Sequence, residues 1–249
     1  MAEGPSYVIL GRGRWAMRMQ GILSTECRRV SSIRETRQAS GETDAAYRSR
    51  LAEAMGASNA EIAWLCVLPG LHVATMIDAG LDAGLHIVVE KPWEGSRRVT
   101  ESLAAKAKSL RRLVAVHFEY CLLEEVERWH RDFYPGTGLR FGGHFFLSRP
   151  DHMGMPAMHN LGSHLLAIRA YAAPKSELQE IRCGYERPDE RTVWLERRNT
   201  RVAFVDLLAN KERIIQRFIA KVEASLEAAE FPLDLEFALR VANDAKALG

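Results

Sequence analysis

The sequence predicts an α/β protein: a doubly wound parallel sheet in the first half, then a smaller α+β domain with a mainly antiparallel sheet. Three observations carry that prediction. Short apolar runs alternate with amphipathic stretches as far as residue 118, the glycines and prolines fall directly after those runs, and the second half changes to short alternating segments.

Tyr7 to Leu10 is an apolar run that ends at Gly11, and residues 14–23 set Trp15, Met19, Ile22 and Leu23 at helical spacing. Val30 to Ile33 has β-branched residues at both ends, and residues 45–55 place Leu51 and Met55 on one helical face. Residues 62–68 are apolar throughout if Cys66 counts as a small hydrophobe, as a parallel strand covered on both faces requires. A helical pattern over 73–83 stops at Gly84, His86 to Val89 is another buried strand, and a helix over 100–110 leads to a strand over 113–118. In such a sheet ligands lie at the carboxyl ends of the strands, which is where Gly11-Arg12-Gly13, Arg34, Leu68 to His72 and Glu90-Lys91-Pro92 stand. His117 and Glu119 close the fifth strand at the same edge, as ligand contacts or as structural side chains.

Composition narrows the function classes. With 34 Lys and Arg against 32 Asp and Glu, the net charge of +2 offers no surplus to neutralise a nucleic-acid backbone, and short pairs such as Arg28-Arg29 and Arg111-Arg112 read as solvated surface. Cys27, Cys66, Cys121 and Cys183 lie far apart without a C-x-x-C pair, and His144, His152 and His159 are not spaced as ligands, so no metal is expected. The most apolar run is interrupted by Pro69 and Gly70, far short of the ~20 residues of a membrane helix. Isolated thiols and a start lacking a basic, apolar leader fit a cytoplasmic protein.

Gly11-Arg12-Gly13-Arg14-Trp15-Ala16 matches G-x-G-x-x-A between a strand and a helix, the context in which that pattern marks a Rossmann dinucleotide site. Gly11 permits the tight turn, Gly13 lets backbone approach a pyrophosphate, and Ala16 keeps the helix close to the sheet. After the second strand come Arg34, Glu35 and Arg37; two guanidiniums around one carboxylate favour the extra phosphate of NADP(H), while Glu35 alone holding a ribose would suit NAD(H).

These residues resemble the Gfo/Idh/MocA oxidoreductases, a family that includes glucose-fructose oxidoreductase and inositol dehydrogenase. Leu68-Pro69-Gly70-Leu71-His72 looks like that family's T-P-N-x-x-H segment, Glu90-Lys91-Pro92 like its E-K-P motif, and Asn160-Leu161-Gly162-Ser163-His164 like its D-x-G-x-H. The resemblance implies that Leu68, Pro69, His72, Glu90, Lys91 and Pro92 border the cofactor, with a cis bond before Pro92. It also implies that Lys91 and His164 meet at the nicotinamide and exchange a proton with the substrate. Asn160 stands where the family has Asp, so the resemblance passes the role of base to His164, and it implies an abbreviated second domain.

The predicted domains are 1–118, binding dinucleotide, and 119–249, binding substrate and supporting oligomers. Strands are expected over 139–147, 178–184, 192–196 and 202–208, with helices over 160–171, 212–229 and 232–247. The alternations Val193/Leu195 and Val202/Phe204 would suit a homodimer, and a single buried face would explain them equally. The expected function is hydride transfer between NADP(H) or NAD(H) and a carbonyl or secondary alcohol of a small polar, sugar- or cyclitol-like metabolite. Reduction of an imine is the near alternative, and a nucleotide-binding regulator or partner subunit without catalysis is the distant one.

Overall fold

The computed structural model describes residues 4–25, 28–151, 154–209 and 213–248. Cys27, His152 and Glu212 lie outside them. The chain divides into two units: residues 1–117 with 220–239, and residues 118–219 with 240–249.

In the first unit, strands β1 (Tyr7–Leu10), β2 (Val30–Ile33), β3 (Ile62–Leu65), β4 (His86–Val89) and β5 (Val114–Val116) form one sheet in the order β2-β1-β3-β4-β5. Every pairing is parallel. Four helices connect them: α1 (Arg14–Thr25), α2 (Asp44–Gly56), α3 (His72–Asp82) and α4 (Arg97–Ser109). Ile62, Ala63, Trp64 and Leu65 are all at most 1% exposed, and each large apolar side chain so buried contributes roughly 1.5–3 kcal/mol. Thr43 and Ser96 cap α2 and α4 by accepting from the Ala46 and Val99 amides. Gly84, at φ +76°, ends α3 in the left-handed conformation expected of it. The chain moves from β1 outward to β2, then crosses to β3 on the other side of β1, so the switch point of this sheet lies between the ends of β1 and β3.

A cut near residue 118 does not capture the return of residues 220–239 to this unit. That segment is tied in by specific bonds: the Val116 amide donates to the Leu233 carbonyl at 2.7 Å, and the Tyr7 hydroxyl donates to Glu223 at 2.7 Å. Arg28 pairs with the same carboxylate at 2.6 and 2.9 Å. The two closing helices are α7 (Ile214–Ala224) and α8 (Leu235–Leu248). The first is shorter than expected, and the second is capped by Asp234, which accepts from the Phe237 amide at 2.8 Å; Pro232 precedes that cap.

The second unit contains α5 (Glu124–Phe133), β6 (Arg140–Leu147), α6 (Ser163–Ala172), β7 (Glu177–Tyr185), β8 (Glu190–Arg197) and β9 (Thr200–Asp206). Its four strands run β7-β6-β8-β9, with β6 and β7 parallel and the other two pairings antiparallel. Helix α5 is not among the elements expected from sequence, because EEVERWHRDF buries only Val126 and Trp129. Val193 and Leu195 are both fully buried, whereas Val202 and Phe204 are 40% and 49% exposed; one buried face therefore accounts for the first alternation and not the second. Cys66 and Cys121 are buried free thiols and Cys183 a half-buried one, and burial pushes the pKa of all three up. No described helix is long and apolar enough to cross a membrane.

Candidate functional site

Gly11 leaves β1 at φ +129°, and a Cβ there would stand 2.4 Å from the Cys66 carbonyl oxygen. Only glycine lets the end of β1 lie this close to the end of β3. The Gly11 amide donates to the Ile33 carbonyl at 3.0 Å and the Cys66 amide to the Leu10 carbonyl at 2.8 Å, so the turn is pinned to both neighbouring strands. A Cβ on Gly13 would instead meet nothing within 4 Å. The backbone there faces open space. The Met17 amide reaches the Gly13 carbonyl at 3.1 Å, which leaves the first-turn amides of Arg14, Trp15 and Ala16 outside the helical ladder. That turn contains no acidic residue, Arg12 and Arg14 are exposed, and Ala16 is buried beneath it. Unpaired amides, the positive helix end and two guanidiniums fit a diphosphate.

The loop after β2 is held from behind. Arg50 pairs with Glu42 at 2.8 Å and also donates to the Glu35 and Arg37 carbonyls at 3.2 and 3.0 Å. The Arg50 hydrogen bond and the Ala39 amide hold the Glu42 pKa down to about 2, and the Tyr47 hydroxyl donates to the Thr36 carbonyl at 2.7 Å. So braced, the loop presents Arg34, Glu35 and Arg37 to solvent, and neither of these two arginine side chains has a hydrogen bond or ion pair among the described residues.

Across the switch point, Leu68 and Leu71 are 63% and 85% exposed, Pro69 is half-buried, and His72 opens α3 with its ring in solvent. Exposed leucines at this edge of the sheet offer apolar surface for a flat ring.

At the end of β4, Glu90 is enclosed rather than open to a ligand. Trp15 Nε1 donates to its Oε1 at 2.6 Å, Trp64 Nε1 to the same oxygen at 2.9 Å, and His117 Nδ1 lies 3.1 and 3.3 Å from its two oxygens. The rings stack as well: Trp15 lies face to face with His117 at 5.9 Å, and Trp64 meets it edge-on at 5.2 Å. Burial pushes the Glu90 pKa up, but the His117 charge and the hydrogen bonds from His117, Trp15 and Trp64 outweigh it, and the net direction is down. Lys91 follows directly, half-buried, and the Lys91–Pro92 bond is cis, as the resemblance implies. Trp93 is then anchored by donating to Thr100 Oγ1 at 2.8 Å.

His117 belongs to the first unit and Glu119 to the second, so the two residues that close the fifth expected strand part company. Sequence reasoning missed Trp64, which reads as one more apolar residue of a buried run. The available signal was its indole N–H, which needs an acceptor once buried.

In the second unit, His164 sits on α6 among aromatic rings: Phe145 of β6 stacks on it at 5.1 Å and Tyr120 meets it edge-on at 5.0 Å. Arg191 of β8 donates to the Tyr120 hydroxyl at 2.7 Å and lies 5.0 Å over the Phe145 ring. Asn160 lies in a π-helical turn ahead of α6, a distortion frequent at functional sites, and its amide donates to the Tyr185 hydroxyl at 2.6 Å. Burial raises the Tyr185 pKa and the Asn160 bond opposes it. The sequence did not point to Tyr120, Phe145 or Arg191, which come from three separate elements. Among the described residues no group of three or more His, Cys, Asp or Glu could hold a metal ion.

No family model matches the sequence, and no curated protein does. Solved structures match in fold. GenD2 from gentamicin A biosynthesis, in complex with NAD, is 17% identical at a TM-score of 0.75, over 99% of this chain and 93% of that one. UDP-N-acetylglucosamine 3-dehydrogenase GnnA from Acidithiobacillus ferrooxidans is 14% identical at 0.78, over 99% and 97%. An inositol dehydrogenase homolog from Azotobacter vinelandii, complexed with NADH and myo-inositol, is 12% identical at 0.70, over 99% and 94%. What such identities establish is the shared fold, the one the motif resemblance implies.

Proposed function

We propose that this chain, which has the fold of the Gfo/Idh/MocA oxidoreductases, transfers hydride between a nicotinamide dinucleotide and the carbonyl or secondary alcohol of a small polar, sugar- or cyclitol-like metabolite. The observation that carries the reading is the open backbone at Gly13, with the amides of Arg14, Trp15 and Ala16 outside the helical ladder at the sheet's switch point. The structures that share the fold bear names of dehydrogenases and complexes with NAD or NADH, which supports the chemistry.

NADP(H) is the preferred form, because Arg34 and Arg37 stand unpaired on a braced loop where a 2′-phosphate would lie. When bound, the nicotinamide gives or takes the hydride. The chain's own groups do the rest. The first-turn amides of α1 bind the diphosphate, and Leu68 and Pro69 flank the seat. By the motif resemblance Lys91, in the first unit, and His164, in the second, are each assigned the task of holding and releasing a substrate proton. Asn160 has no titratable proton near neutrality and its amide is committed to Tyr185, so base catalysis falls to His164. Two copies of the chain pair through the face of β9 that exposes Val202 and Phe204.

Calorimetry with NADPH and NADH tests the cofactor. NADPH is expected to bind tighter by about tenfold, and Arg34→Ala to remove the difference, as loss of a charge-assisted contact would. Oxidation of NADPH is then followed with ketose, inosose and imine panels. Turnover of imines alone would move the substrate class, and a wild-type chain that binds neither nucleotide would overturn the reading.

A further inference from the structure

Glu90 has no evident task in hydride transfer, yet three N–H-bearing rings from three places in the first unit converge on it: Trp15 from the first turn of α1, Trp64 from β3, and His117 just past β5. Its side chain is only 15% exposed and that of His117 only 2%. A carboxylate so enclosed has few lone pairs left for a ribose hydroxyl. It fixes its neighbours instead.

Trp64 is 1% exposed within the sheet, so it anchors the carboxylate to a rigid element, and His117 Nδ1 lies 3.1 and 3.3 Å from its two oxygens. The remaining bond, 2.6 Å from Trp15 Nε1, then pulls on the side chain of a residue whose own backbone amide is among those outside the helical ladder. The link runs from the sheet to the anion-binding turn.

We infer that Glu90 is a positioning residue for the diphosphate seat: by holding the Trp15 indole it sets the rotation of the first turn of α1, and with it the aim of the amides that grip a dinucleotide. This rests on the dinucleotide reading above and adds to it a determinant of affinity that does not touch the diphosphate. The same carboxylate precedes Lys91 in the chain, so the seat and the lysine share one fixed point.

The test uses the full chain with NADPH and ADP as probes, since ADP has the diphosphate without the nicotinamide. Trp15→Phe keeps a ring and removes the N–H; it is expected to weaken both probes by a similar factor, about tenfold, as for one hydrogen bond to a charged group. Glu90→Gln leaves Trp15 in place but removes the charge, and is expected to weaken both probes several-fold. In that variant the Trp15 fluorescence, isolated by subtracting the spectrum of the Trp15→Phe/Glu90→Gln double variant so that the change at Trp64 cancels, should move to longer wavelength as the indole meets water. A residue that only contributed stability would lower the melting temperature without changing that spectrum or the affinity of the folded chain. Unchanged affinities for both probes in Trp15→Phe would sink the inference while leaving the dinucleotide reading intact, and this holds even if Glu90→Gln fails to fold. A wild-type chain that binds neither probe would sink the reading itself.

Discussion

In the first unit Gly11, Gly13, Arg34, Leu68 and Glu90 each stand within three residues after a strand, whereas in the second His164, Tyr120, Phe145 and Arg191 come from a helix, a 3-10 turn and two strands. The first arrangement follows from topology. All five strands are parallel, so their carboxyl ends gather along one edge and whatever follows each strand becomes a neighbour of the others. The second sheet is mixed, its strand ends point both ways, and its cluster is assembled across the sheet by packing. Substitutions in the first unit should therefore act on nucleotide binding, and those around His164 on stability and turnover.

Gly11→Ala should have the largest effect, because the new methyl meets the Cys66 carbonyl at 2.4 Å from a backbone at φ +129°. A loss of about 2–4 kcal/mol is expected, visible in urea unfolding, with binding lost alongside. Gly13→Val separates the two properties. Its Cβ enters space that is empty in the protein, so the loss of stability should stay near the ~1 kcal/mol of a poorer helix cap, about 2–4 °C in melting temperature, while NADPH affinity falls by about a hundredfold or more. Equal binding by this variant and the wild type would break the contrast between the units.

Tyr120→Phe probes the other side. It strips Arg191 of a 2.7 Å acceptor and should cost about 1–2 kcal/mol of stability, with NADPH affinity unchanged by calorimetry. A large drop in nucleotide affinity would show that the two units are not functionally separable in this way.

The smallest effect is a matter of pH. Burial, aided by Arg112, lowers the His86 pKa from 6.5 to about 4, and its Nδ1 accepts from the Leu113 amide at 3.0 Å, which requires an unprotonated nitrogen. As pH falls from 6.5 to about 4 the unfolded chain takes up a proton that the folded chain refuses, so His86 subtracts stability progressively across that window. His86→Asn, which keeps an acceptor and cannot titrate, should flatten that part of the pH–stability curve. An unchanged curve would remove His86 as its cause.

Much of the first unit was legible because its information is local. Gly11 to Ala16 and the apolar runs before each turn state strand, turn and helix without reference to distant residues. The role of Glu90 was not legible in that way. The motif marks it as bordering a cofactor, and only the fold brings Trp15, Trp64 and His117 around it. Helix α5 escaped for a different reason: its two buried residues, Val126 and Trp129, are too few to set a period.

The sequence by itself determined the alternation of strands and helices, the phosphate turn and the edge of the sheet on which function would lie, because propensity, periodicity and turn chemistry act over a few neighbouring residues. Only the tertiary structure decided the strand order, the return of residues 220–239 to the first unit, and the company kept by Glu90 and His164. Those depend on contacts between residues far apart in the chain, whose free energy exists only once the intervening segments have packed.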